Sequence, residues 1–482
     1  MNVASDIFSA FPLHRRTTIM GKLAGALLAV SKIKNAVPLI HGPVGCAFQR
    51  RINPFELSAN FFDMPIPCTN MTELDTVYGG EEALKGSLLQ TYERYSPELI
   101  VVLTTCQSDI IGDDVKAVID AVDITCDIVY STGCLCLEHS KTHNLGVIGT
   151  QDVLYALVDQ LLENEEKGKE KKAVNIAISS VHGAASDMSE MKGVLKKIGI
   201  KINGIYFDGA ATTTVEALKK MPGAALNIVD YPQAWAMLMK KKCDVDYVET
   251  FPMSLRHPEA SSPFGVEGGV KFFTEVAGKC GLEEEAIKVI EEEKRKIEPE
   301  LARLRAALEG KKIALSPLLF FHSGLIPILL SDLKMDARFI LLDEFKSHGA
   351  GIVILKLAKL YLSRMCKKYG MKPKIFVDVN PGEEIEALKS VDVVLASRSN
   401  DVLRYHMQGI KTFNAGTFST HYGRIGFKMT LDLGELLVKE LNKPMQRSPL
   451  VSMLDYDAQR PSLTEPWARL EDTWRALWGK GG

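Results

Sequence analysis

A chain of 482 residues with 46% hydrophobic and 24% charged side chains has the make-up of a soluble globular protein, and at roughly 150 residues per domain it suggests about three domains. A formal net charge of -2 gives no electrostatic reason to expect nucleic acid or an anionic membrane as a partner. The apolar runs Leu99 to Leu103 and Leu318 to Leu330 are too short or too interrupted for a span of about 20 apolar residues, and Met1 to Arg16 hold no signal-peptide core, so the expected location is cytoplasmic.

Along the chain, short apolar runs alternate with amphipathic helices, the pattern of parallel sheets covered on both faces. The expected strands are Ala36 to Ile40, Leu99 to Leu103 and Asp127 to Tyr130, then Val174 to Ile178 and Leu226 to Val229. Lys312 to Leu315, Phe339 to Leu342, Lys374 to Val377 and Val393 to Ala396 complete the set. Val115, Val118, Ile119 and Val122 recur at helical spacing, with Asp113 and Asp114 placed to cap that helix.

Two stretches read as boundaries. ENEEKGKEKK, between Leu162 and Ala173, has no apolar residue and reads as a solvated connection. Glu283 to Leu308 is a charged helical stretch whose apolar residues Ile287, Val289, Ile290, Ile297, Leu301, Leu304 and Leu308 suggest a helix bridging two domains. The expected units are 1–162, 173–282 and 310–440, with 441–482 as a C-terminal extension, each unit being Rossmann-like with a mostly parallel sheet flanked by helices.

In open parallel sheets ligands bind beyond the C-terminal ends of the strands. Three strands end there on thiols: Ala36 to Ile40 runs into His41-Gly42-Pro43-Val44-Gly45-Cys46, Leu99 to Leu103 into Thr104-Thr105-Cys106, and Asp127 to Tyr130 into Ser131-Thr132-Gly133-Cys134-Leu135-Cys136. Taken singly, a cysteine is more often a small buried hydrophobe than a ligand, and that reading is kept for the isolated Cys243, Cys280 and Cys366. In a reducing compartment, thiols gathered at one sheet edge read as metal ligands, and thiolate is the usual protein ligand of iron–sulfur clusters. Gly42 and Gly45 would allow backbone close to inorganic sulfur.

Three ordered motifs carry a family resemblance: Val37 to Cys46 (VPLIHGPVGC), Met71 to Gly80 (MTELDTVYGG), and Thr104-Thr105-Cys106 followed by Ile111-Gly112-Asp113-Asp114. Together they resemble nitrogenase component 1 subunits and their relatives, the cofactor-assembly scaffolds and the tetrapyrrole reductases. Weaker similarity covers most of the chain, including Ala225 to Val229 and Ala396 to Phe413. The resemblance implies three Rossmann-like domains, a second similar or identical component 1 subunit, and an iron–sulfur cluster at the interface between them. Cys46 and Cys106 match ligand positions of that cluster, and Cys68, in Pro65-Ile66-Pro67-Cys68-Thr69-Asn70, is a weaker match.

The departures from the family pattern bear on function. Where nitrogenase subunits carry a further cysteine upstream of the first motif, this chain reads Thr18-Ile19-Met20-Gly21, which favours a 4Fe-4S cluster over an eight-iron one. The stretches resembling those that hold the iron–molybdenum cofactor read Asn227-Ile228-Val229-Asp230-Tyr231 and Phe413-Asn414-Ala415-Gly416-Thr417-Phe418, without the cysteine and histidine ligands. By analogy a cleft for an organic substrate would be walled by Asn414, Thr417, His421, Tyr422 and Arg424, with a ligand-free solvated loop as the equal alternative for His421 and Arg424. Asp230 reads as a cap or turn residue. Cys134 or Cys136 could complete the cluster, while His139 and His143, four apart, read first as a solvated helix face and second as a metal-binding pair.

No GxxxxGK[ST] phosphate loop occurs in the sequence. The resemblance therefore implies electrons from a separate ATP-hydrolysing iron–sulfur reductase protein. The expected function is a subunit of a nitrogenase-like reductase, an oxidoreductase passing low-potential electrons through the interfacial cluster to a substrate between domains. The alternative is a scaffold for assembly of a nitrogenase-type metal cluster.

Overall fold

The computed structural model describes residues 22–52, 64–131, 145–162, 170–178, 187–229, 234–250, 263–315, 325–342, 351–377, 379–396, 402, 405–406, 408–415 and 424–444. Three parallel sheets follow one another along the chain, with strand orders β1-β2-β3, β5-β4-β6-β7 and β10-β9-β8-β11-β12.

The first sheet consists of β1 (Ala36–His41), β2 (Leu99–Thr104) and β3 (Asp127–Ser131). Every residue of β1 and β2 is buried, as expected for a parallel sheet covered on both faces. Alternation along β2 divides the load: Leu99, Val101 and Leu103 face one core, and Ile100 and Val102 the other. The first core is closed by α1 (Lys22–Ser31), with α2 (Val44–Ile52) leading away from the end of β1. The opposite face is closed by α4 (Glu81–Tyr95), which follows the short α3 (Glu73–Tyr78), and by α6 (Val115–Asp120), which follows α5 (Cys106–Ile111). Leu84 and Leu88 of α4 are fully buried there, each worth about 1.5–3 kcal/mol.

Helix α7 (Leu145–Leu161) also lies on the first face and crosses α1 at very short range. A Cβ added to Gly149 would sit 1.8 Å from the Lys22 carbonyl oxygen, so only glycine permits this crossing. Thr150 Oγ1 donates to Gly25 O at 2.9 Å and Lys22 pairs with Asp152 at 2.7 Å, locking the two helices together.

The second sheet comprises β4 (Glu170–Ala177), β5 (Lys201–Ile205), β6 (Ala224–Val229) and β7 (Asp246–Glu249). Helices α8 (Ser189–Ile198), α9 (Ala234–Cys243) and α10 (Gly265–Lys279) flank it. β4 starts inside the stretch read as a connection: Glu170, Lys171 and Lys172 are exposed but already strand, because ladder pairing with Ala224 needs no apolar side chain. β5 and β7 were not legible, since each mixes polar and apolar residues on a half-covered edge. The first two units share a core, in which Leu154, Leu157 and Val158 of α7 lie with Trp235 and Met239 of α9.

Helix α11 (Glu283–Leu308) spans the bounds read from the sequence. Its N-terminal half puts Ala286, Ile290 and Ile297 into the second core, and its C-terminal half puts Leu301, Leu304 and Leu308 into the third. Ile287, counted above among the core positions, points to solvent because Ala286 and Ile290 define the buried stripe. The third sheet contains β8 (Lys312–Leu315), β9 (Asp336–Leu341), β10 (Lys374–Phe376), β11 (Val393–Ala396) and β12 (Thr412–Asn414). It is flanked by α12 (Gly351–Tyr369) and α13 (Met429–Asn442). Among the described residues, no helix is long and apolar enough to cross a membrane.

Replacing Gly149 by Val is expected to force α1 and α7 apart and to lower stability by about 1–3 kcal/mol. Thermal unfolding of purified protein checks this, and an unchanged midpoint would show that the crossing is not close in solution.

Candidate functional site

The register of the first sheet decides where the thiols fall. His41, the last residue of β1, pairs with Thr104, the last of β2, so Gly42 and Thr105 leave the sheet side by side. Cys46 lies in the first turn of α2, and Cys106 opens α5 directly after β2. Cys68 joins them from the other edge of β1. The Ile40 N–H donates to Pro67 O and the Thr69 N–H to Ile40 O, each at 3.0 Å, so Cys68 lies opposite Ile40 as a one-residue strand. The C-terminal end of β1 thus brings Cys46, Cys68 and Cys106 to one edge, all three half-buried.

What holds these loops is a buried network that the cysteine pattern did not reveal. His41 Nε2 lies 2.9 Å from Asp113 Oδ2, with both side chains almost fully buried. Its Nδ1 lies 3.2 Å from Thr69 Oγ1, next to Cys68. The carbonyl of His41 accepts the hydroxyls of Thr105 (3.1 Å) and Ser108 (2.9 Å), which flank Cys106. Asp113 Oδ1 accepts the Gly80 N–H at 2.9 Å, tying in the second motif. One histidine therefore touches the supports of Cys68 and Cys106 and begins the loop to Cys46.

Burial pushes the His41 imidazole below its usual value, against the raising pull of the Asp113 hydrogen bond. A neutral ring fits the contacts: Nε2–H donates to the Asp113 carboxylate, and Nδ1 accepts from the Thr69 hydroxyl. The glycines follow from the same packing. At Gly80 a Cβ would sit 2.7 Å from Asp113 Oδ2 and 3.0 Å from His41 Cε1. At Gly42 it would sit 2.3 Å from Thr105 Oγ1, so glycine here makes room for the neighbouring loop. Gly45, beside Cys46, has nothing within 4 Å of its Cβ position and is open. Asp114 alone caps α6, accepting the Ala117 N–H at 2.9 Å, while Asp113 is drawn away to His41.

The helices around the thiols expose apolar side chains. Leu74, Val77 and Tyr78 on α3 are 68–84% exposed, α3 buries no residue at all, and Ile110 on α5 and Val44 and Phe48 on α2 are also exposed. α3 is nonetheless fixed, by a capping box between Thr72 and Asp75 and by the Gln107 side chain donating to Thr76 Oγ1. A fixed helix presenting three apolar residues to water is a candidate contact surface.

A model of the nitrogenase component 1 type oxidoreductases matches residues 22–442, a span that includes all three sheets and all three thiols. The chain belongs to this family. Among its relatives, the nitrogenase iron-molybdenum cofactor biosynthesis protein NifE of Methanosarcina barkeri is 26% identical over 304 residues, covering 61% of this chain and 62% of the relative. The nitrogenase molybdenum-iron protein alpha chain of Methanothermococcus thermolithotrophicus is 28% identical over 291 residues, 58% of each chain. These matches span about three-fifths of the relatives' length. The solved structure titled nitrogenase Cp1 at pH 6.5 superposes with a TM-score of 0.62 at 20% identity, covering 88% of this chain and 92% of that one, which shows a shared fold.

Within this component 1 fold the other candidates stand as follows. Asn414 ends β12, half-buried beside Ala396. Arg424 is not in a solvated loop, since its guanidinium lies between Asp187 (3.4 Å) and Asp432 (3.2 Å) as an ion pair joining the second and third units. Cys243 and Cys280 are buried and Cys366 is half-buried, in line with the structural reading. Thr18 to Gly21, Cys134, Cys136, His139, His143, Asp230, Tyr231, Thr417, His421 and Tyr422 lie outside the described residues. Among the described residues, no three His, Cys, Asp or Glu side chains gather closely enough to hold a metal ion, so the thiols share an edge without closing a single-ion site.

Asp113→Ala would leave His41 Nε2–H and the Gly80 N–H without their acceptor, at an expected cost of about 1–3 kcal/mol for each donor. Denaturant unfolding measures it, and a cost below about 1 kcal/mol would contradict the network's role. Because the folded-state His41 value lies below 6.5, the folded protein refuses a proton that the unfolded chain accepts. The contribution of His41 to stability is complete above that pH and is lost as pH falls below it; His41→Gln, which cannot titrate, is expected to flatten this part of the stability–pH curve.

Proposed function

We propose that this component 1 family member is one subunit of a nitrogenase-like reductase and that Cys46, Cys68 and Cys106 supply thiolates to an iron–sulfur cluster shared with a second similar subunit. The observation that carries the reading is the delivery of three half-buried thiols to one sheet end, held by one hydrogen-bond network beside exposed apolar residues. The donor set fits such a group: thiolates suit iron–sulfur clusters, and the backbone at Gly45 is open beside Cys46. Three protein ligands leave a 4Fe-4S cluster one short, and the second subunit or the cysteines near residue 135 are the sources for the fourth.

When bound, the cluster would store and relay single electrons at low potential. The chain's own residues do the positioning. His41 and Asp113 fix the spacing of the thiol-bearing loops, and the buried strands β1 and β2 exclude water from beneath them. The apolar residues of α3 and α5 would dock a protein partner, and a separate ATP-hydrolysing reductase is the partner that a component 1 chain without a phosphate loop calls for. The substrate site would lie in the crevice between units, at the C-terminal ends of the second and third sheets.

A scaffold that holds a metal cluster as cargo is the second reading, favoured by the similarity to NifE. Anaerobic purification with iron and acid-labile sulfide analysis is expected to give about four irons per cluster, and Cys106→Ala to lose most of them. A wild-type protein free of iron under those conditions would sink the cluster assignment. Mixing the reduced complex with an ATP-hydrolysing donor separates the two readings: substrate turnover marks a reductase, and release of metal to an acceptor protein marks a scaffold.

A further inference from the structure

The second and third units are joined by two carboxylates that cap each other's helices. Asp332, which ends the π-helical turn Ile328–Asp332 of the third unit, accepts the N–H groups of Val266 (2.7 Å) and Glu267 (3.3 Å) at the start of α10 in the second. Glu190, in the first turn of α8 in the second unit, accepts the N–H groups of Phe427 (3.1 Å) and Lys428 (3.2 Å), which lead into α13 of the third. Thr430 of α13 donates its hydroxyl to Asp332 at 2.6 Å, so the two caps meet. The backbone seals the junction, with Ile425 N–H on Asp187 O at 2.8 Å and Gly265 N–H on Gly426 O at 2.9 Å. Both glycines have positive φ, and a Cβ at either would run into a capping carboxylate.

We propose that these reciprocal caps form a hinge between the second and third units that is tightest with its carboxyls protonated and loosens as they ionise. Helix N-termini welcome an anion, but here the half-buried Glu190 and the buried Asp332 are partly or wholly removed from water, and that desolvation opposes their charge. Glu190 faces Lys428 and Arg424 from the third unit; Arg424 is shared with Asp187 and Asp432, and Lys192 faces Asp187. Asp332 faces the like charge of Glu267, which is itself held by Lys368 and by the Tyr369 hydroxyl, while Arg305 donates to the Asp332 carbonyl and not to its carboxylate. Desolvation prevails at both caps: it pushes Glu190 up to about 6 and raises Asp332, and it raises Asp432 beside them.

The sign follows from linkage. A carboxyl whose folded value lies above its unfolded value holds its proton longer in the closed state, so its support for closure is complete below about 4.5 and is lost as pH rises through about 6. Above about pH 6 Glu190 therefore carries its charge at a cost, desolvation opposes the charge of Asp332 in the same direction, and opening the junction would separate the second unit from the third. This inference is independent of the iron–sulfur reading.

Hydrogen exchange of the full chain, corrected for intrinsic rates, tests it on peptides covering 264–270 and 424–432. Between pH 5 and pH 7.5 the wild type is expected to lose protection there on the order of tenfold. Glu190→Gln keeps the shape and an acceptor oxygen, and is expected to hold the low-pH protection at pH 7.5; Asp332→Asn is expected to do the same. Equal wild-type protection at both pH values overturns the proposal, as does a junction loosened in both variants at both pH values, or failure of both variants to fold.

Discussion

A histidine buried at the end of a strand has to be satisfied within the protein, and the way His41 is satisfied organises the whole thiol-bearing edge. Its ring spans Asp113 and Thr69, and its carbonyl takes two hydroxyls from the turn that opens α5. These groups belong to separate loops of the first unit, so none can move without leaving a buried polar group unpaired. The cysteines themselves are only half-buried and make a small contribution to packing. The rigidity of their site comes from the network beneath them.

In the proposed function, that separation of support from thiol would suit a cluster held without reorganisation. Electron relay needs ligands that hold still through a change of charge, and a buried hydrogen-bond network provides this better than exposed loops. The apolar side chains Val44, Phe48, Leu74, Val77, Tyr78 and Ile110 on α2, α3 and α5 are exposed, which is costly in water. A hydrogen-bonded interior and exposed apolar side chains meet at the same sheet end.

The junction between the second and third units is built on the opposite principle. There the carboxyls of the half-buried Glu190 and the buried Asp332 sit at helix starts where desolvation opposes their charge. The first sheet is fixed by a neutral ring against a single carboxylate, whereas the junction balances several carboxylates against the shared Arg424 and Lys428. Holding three thiols at a sheet end and joining two units place different demands on electrostatics, and the two regions differ accordingly.

The sequence by itself determined the parallel-sheet architecture, the bridging helix α11 and the alignment of Cys46 and Cys106 at strand ends, because apolar runs and helical periodicity are local signals. It also carried the family, through three short motifs in order. Tertiary structure decided what those motifs do. The strand register β1–β2 and the bridge at Ile40 bring Cys68 beside β1, 22 residues from Cys46 in sequence, and Asp113 reaches His41 across 72 residues to leave Asp114 as the cap. Likewise Arg424, read from its motif as a cleft residue or part of a solvated loop, became an inter-unit ion pair only once Asp187 and Asp432 were placed around it. A local pattern specifies which face of an element is buried; it has no means of specifying which distant polar group will meet a given side chain there.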